Sequence, residues 1–125
     1  MTDANGLPDL PGIDKADGLR RMMNKPKLYE KVLRDFHLRF CNEVTVIRTA
    51  LAANDSETAT RSAHSVKGLA GSIGAAPLQA AALALEISIR EGSADIETPL
   101  SEFAERLQEV MAGLAAAYPL ETSTT

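Results

Sequence analysis

The stretch Ala63–Ala75, AHSVKGLAGSIGA, sets the problem of this chain. Its apolar residues recur at helical spacing, yet Gly68, Gly71 and Gly74 fall within it or at its end. A glycine inside a helix costs roughly 0.5–1 kcal/mol relative to alanine. The chain uses alanine freely elsewhere, so each glycine here needs a reason.

On a helical wheel with His64 at the origin, Ala59, Ser62, Val66, Leu69, Ala70 and Ile73 cluster on the opposite side. That cluster is the expected core stripe. Thr60, Arg61, Lys67, Gly68, Gly71 and Ala75 fall within roughly 60° of the histidine. His64 is therefore expected in the middle of the solvent face, with glycines one and two turns further along. Their missing side chains would clear a surface on which another protein can approach the ring. Gly74 is more simply a helix stop.

Working outward, Asp55 is placed to cap this helix, which the pattern runs from about Ser56 to Ser72 or Ile73. Upstream, Pro26 opens a helix carrying Tyr29, Val32, Leu33, Phe36, Phe40, Val44, Ile47 and Leu51 on one stripe, expected to run unbroken to Asn54. Asp14 caps a short helix before it, reaching about Met23 and contacting the core through Ile13, Leu19 and Met22 or Met23. Downstream, Pro77 opens a helix with the seam Leu78, Ala82, Leu85 and Ile89, ended by Gly92. The last helix starts at Thr98–Pro99 or at Asp95. It carries Leu100, Phe103, Leu107, Val110, Met111, Leu114 and Tyr118, and Pro119 stops it.

No strand pattern appears. Long helices with short links imply an all-α fold, an antiparallel up-down four-helix bundle with a short additional N-terminal helix. The expected organisation is an extended lead-in over 1–12, the bundle over 13–119 and a disordered tail over 120–125.

Composition narrows the function classes. A net charge of −4 argues against a general nucleic-acid binder. No apolar run reaches the ~18 residues of a membrane span, and no signal segment is evident, so a cytoplasmic setting is expected. The single cysteine, Cys41, allows no internal disulfide and is read as a half-buried helix residue. His37 lies at the margin of its stripe, and His37 and His64 have no companions at metal-ligand spacing, so no metal is assigned.

An exposed imidazole near neutral pH is a nucleophile, and phosphorus is a suitable electrophile for it. Lys67, one turn on, can place a mobile positive charge beside a phosphoryl group on His64. Gly68 leaves room for that group and for its donor.

Ala63-His64-Ser65-Val66-Lys67-Gly68-Leu69-Ala70-Gly71-Ser72-Ile73-Gly74 closely resembles the core motif of histidine-containing phosphotransfer (HPt) domains. Leu10–Asp14, Lys25–Phe36 and the pair Leu85-Glu86 extend the resemblance over roughly residues 10–118. Lys25 departs from the Asp or Asn usual before the proline, which weakens a helix cap only. The resemblance implies that His64 is phosphorylated, that Lys67 stabilises the phosphoryl group and that Gly68 gives access. It also implies a polar residue of the next helix near the phosphohistidine, for which Gln79 is the candidate.

By the same resemblance, His64 accepts the group from the aspartate of a response-regulator receiver domain and passes it to a second receiver. The chain would be a standalone protein or a module of a hybrid sensor histidine kinase. It would be a phosphocarrier and no enzyme, with no cofactor of its own and Mg²⁺ on the partner receiver. Docking is expected through apolar contacts that include Ala75, Ala76 and parts of the first helix, with no nucleic acid and no membrane contact, and with the chain a monomer. The alternative is the phosphoacceptor module of a chemotaxis-type histidine kinase, charged by a separate ATP-binding domain. A complete histidine kinase is disfavoured, since Ser65-Val66 follow the histidine and no ATP-binding region exists. A third reading, an adaptor bundle retained for binding without phosphotransfer, predicts that changing His64 leaves function intact.

Overall fold

The computed structural model describes residues 7–119. The expected tail over 120–125 and residues 1–6 of the expected lead-in lie outside the described residues. Those residues form six helices: α1 (Lys15–Arg21), α2 (Pro26–Phe40), α3 (Glu43–Ala52), α4 (Ser56–Ile73), α5 (Ala76–Arg90) and α6 (Glu97–Ala117). The expected unbroken second helix is instead two, α2 and α3. Asn42 leaves helical geometry at φ −114° and ψ 18°, with no proline or glycine responsible. The apolar stripe carries on across the break, so α2 and α3 act as one bent arm. That arm, α4, α5 and α6 close the four-helix bundle, with α2 packed on both α4 and α6.

Local chemistry places the helix ends. Asp55 accepts a hydrogen bond from the Thr58 N–H at 3.1 Å, and Asp14 caps α1 through the Asp17 N–H at the same distance. Pro26 begins α2 behind a Lys25 that makes no capping bond. Gly74 ends α4 in the left-handed region, φ 87°, where other residues are strained. Its carbonyl accepts from the Asp14 N–H at 2.8 Å, which docks α1 on the end of α4. Tyr29 strengthens the same corner, its buried hydroxyl donating to the Ile73 carbonyl at 2.6 Å.

The core is Tyr29, Leu33, Phe36 and Phe40 from α2, Ile47 from α3, and Phe103, Leu107, Val110 and Leu114 from α6. α4 gives mostly small residues to the interior, and Ala59, Ala63, Val66 and Ala70 are all fully buried. Small side chains let two helices approach closely, and α4 against α5 is the most extensive helix packing among the described residues. Leu7 and Leu10 are also buried in this core, so the lead-in contributes packing and the folded unit begins before residue 13.

Two smaller expectations, for Cys41 and Ala75, are corrected, and the choice between Met22 and Met23 is decided. Cys41 is exposed, because it sits at the bend between α2 and α3. Met23 is 69% exposed in a left-handed turn after α1, and Met22 makes the core contact. Ala75 is fully buried, because the Gly74 turn swings it inward; Ala76, beside it, is exposed.

Candidate functional site

His64 stands near the middle of α4 on the face away from the core, its side chain 63% exposed. α5 runs antiparallel beside it and brings Glu86 to the ring. The Glu86 carboxylate lies 3.0 Å from His64 Nδ1 through Oε2 and 3.0 Å from Lys67 Nζ through Oε1. Arg90, one turn further along α5, closes on Oε2 as well. One carboxylate, 1% exposed, thus collects three basic side chains from two helices. Burial pushes the Glu86 carboxyl up, but the hydrogen-bonding Lys67, His64 and Arg90 outweigh it and hold it below the ordinary carboxylate range.

The protonation pattern of the ring follows. An ionised carboxylate only accepts hydrogen bonds, so Nδ1 of neutral His64 carries the proton and donates. The lone pair is then on Nε2, which has no hydrogen-bond partner among the described residues and belongs to an exposed side chain. A ring so held is oriented, and its neutral form is nucleophilic at the outer nitrogen.

The surroundings of Nε2 differ on its two sides. Toward the C-terminal end of α4, a side chain added at Gly68 would meet nothing within 4 Å, so that side is open. Toward the N-terminal end lies an open groove of about 440 Å³, lined by Thr60, Arg61 and His64 of α4 and by Glu86, Ile89 and Arg90 of α5, among others. Among the described residues no cluster of His, Cys, Asp or Glu could hold a metal ion. No helix of the described chain is long and apolar enough to cross a membrane.

Residues 31–117 match the family model of the Hpt domain. The chain belongs to the Hpt domain family. The crystal structure of the HPT domain from an Hpt sensor hybrid histidine kinase of Shewanella is similar in fold, with a TM-score of 0.76. The two are 22% identical, and the match covers 86% of this chain and 94% of that one. No curated protein matches the chain. Hpt domains are phosphocarrier modules of two-component signalling that interact with response-regulator receiver domains and hybrid kinases.

Within this Hpt domain the structure brings His64, Lys67 and Gly68 to one surface, with Lys67 half-buried and ion-paired rather than free. Gln79 is elsewhere: its side-chain amide lies over Gly71, two turns along the hairpin from His64. Gly71 is accordingly buried under Gln79 and does not widen the clearing. The α5 residue that meets the ring is Glu86, which the wheel of α4 alone could not reveal. His37 is buried, with Nδ1 unpaired, and stands apart from this site on α2.

Proposed function

We propose that this Hpt domain is a phosphorelay intermediate, accepting a phosphoryl group on Nε2 of His64 from a receiver-domain aspartate and passing it to a second receiver. The observation that supports this most is the Glu86 contact with Nδ1 of a side chain that is 63% exposed, because a carboxylate acceptor there places the proton on Nδ1 and the lone pair on Nε2. In the forward step the Nε2 lone pair forms the N–P bond. The P–O bond to the donor aspartate breaks, and its electron pair leaves with the carboxylate. In the return step an acceptor carboxylate attacks phosphorus and the P–N electron pair goes back to Nε2. Neither step moves a proton.

Such a transfer needs alignment and charge neutralisation more than covalent help from the protein. Alignment comes from the Glu86 hold on the ring, and access from the open surface at Gly68. Lys67 lies one turn along, and a phosphoryl dianion on His64 would draw its ammonium from Glu86 Oε1 while Arg90 keeps Oε2 paired. The receiver brings its own Mg²⁺.

The test is intact mass after mixing with a pre-phosphorylated receiver, with His64→Gln as control. One added phosphoryl group, acid-labile, absent from the variant and passed on to a second receiver, is the expected result. Charging of His64 only by a kinase ATP-binding domain, with receivers inactive as donors, would replace the relay reading with the kinase-module one. Charging that survives His64→Gln would overturn both.

A further inference from the structure

Glu86 has a consequence for the phosphorylated state that goes beyond the choice of nucleophile. We propose that Glu86 keeps the proton on Nδ1 of His64 in the phosphorylated as well as the bare state, so that the phosphoryl group is held in a labile form over a wide pH range. This rests on His64 being the phosphorylated residue.

The chemistry turns on the leaving group. When Nδ1 carries a proton, breaking the P–N bond releases neutral imidazole. When Nδ1 is bare, the same cleavage releases an imidazolate anion, a far poorer leaving group. Phosphorylation of Nε2 with Nδ1 protonated makes the ring a cation, and a cation 3.0 Å from a carboxylate that is 1% exposed is strongly favoured over its deprotonated form. The surrounding charges keep the carboxylate available. From α4, Lys67 pairs with it and Arg61 lines the adjoining groove, paired with Glu57 one turn back; from α5, Arg90 pairs with it directly. Transfer of Lys67 to the phosphoryl group would leave Glu86 with two positive neighbours, Arg90 and the ring itself. Glu86 is therefore a positioning residue for a proton as well as for a ring. It sets how fast the group can leave, to a receiver or to water.

Two measurements decide this. In the first, wild type and Glu86→Gln are charged with phosphoramidate, the donor is removed, and loss of the phosphoryl group is followed by intact mass from about pH 6 to pH 9. The wild-type rate is expected to stay nearly level, while the variant slows as pH rises. An opposite charge in contact is worth one or more pKa units, so the variant should retain the group about tenfold longer at the alkaline end. Parallel pH profiles for the two proteins would overturn the proposal. The second uses uncharged, ¹⁵N-labelled wild type, whose imidazole shifts report which nitrogen bears the proton. Nδ1 is expected, and a proton on Nε2 would overturn the proposal even if the variant failed to fold. If phosphoramidate places nothing on His64, the phosphocarrier reading fails, and the ¹⁵N shifts still decide where the proton is held.

Discussion

Gly68→Ala separates stability from function in one substitution. Gly68 lies in the interior of α4 and is not among the glycines with positive φ, so an alanine fits its backbone. A Cβ there meets nothing within 4 Å, so no packing penalty offsets the gain in helix propensity. The variant should be more stable by about 0.5–1 kcal/mol. For a domain of this size that raises the thermal midpoint by about 2–5 °C. The same methyl group enters the surface that a receiver must cover to reach Nε2. Interface cores pack as densely as protein interiors, and an extra methyl in such packing costs about 1–3 kcal/mol. Phosphoryl transfer at subsaturating receiver should fall by about 5- to 150-fold, mostly through the half-saturating receiver concentration. Thermal melts and single-turnover transfer over a range of receiver concentrations make the test. A stabilised variant with unchanged transfer would refute the access argument. A destabilised one would refute the reading of open space around Gly68.

Further substitutions probe the frame and the carboxylate. Tyr29→Phe removes the 2.6 Å bond to the Ile73 carbonyl, leaves a buried acceptor unpaired and should cost about 1–2 kcal/mol in urea unfolding, with phosphoryl transfer retained. Gly18→Ala drives a Cβ into the Ile73 carbonyl oxygen and the Tyr29 hydroxyl, so α1 should undock, with a loss of about 1–3 kcal/mol or more in the same assay. The Glu86 carboxyl is depressed in the folded state, so its contribution is complete above the unfolded value near pH ~4.3 and is lost as pH falls through the folded one. Stability–pH curves of wild type and Glu86→Gln should therefore converge on acidification; a constant gap down through that range would contradict the ion-pair account.

Most of the bundle was legible because helical periodicity, capping aspartates and end-marking glycines are local signals. The α2–α3 break was not. Phe36, Phe40, Val44, Ile47 and Leu51 keep helical spacing straight through Cys41-Asn42, so the side-chain pattern carries no mark of the bend. Asparagine disfavours helix interiors only weakly, and here α3 is tied to α4 by the Ser62 hydroxyl donating to the Glu43 carboxylate. Gly71 and Ala75 were misplaced for a related reason. A wheel assigns an angle around one helix and says nothing of which angles a neighbour covers. α5 covers Gly71 through Gln79, and the left-handed turn at Gly74 takes Ala75 off the wheel altogether.

The same limit explains the missed Glu86, and the hairpin register shows how it becomes readable. α4 and α5 are antiparallel, so a step back along one matches a step forward along the other. Gly71 meets Gln79; seven residues back from Gly71 is His64, and seven forward from Gln79 is Glu86. Given the turn at Gly74–Pro77, that pairing can be counted from the sequence. Glu86 then stops being a charged interruption beside the Leu85 and Ile89 seam. A carboxylate at that depth is tolerated only with basic partners, and the facing turn of α4 supplies His64 and Lys67 while α5 supplies Arg90. The group that makes the ring reactive is thus stabilised by the ring and by the cation that would serve the phosphoryl group. Removing Glu86 should disturb stability, the position of the ring proton and phosphoryl lifetime together, whereas removing Gly68 should move stability and transfer in opposite directions.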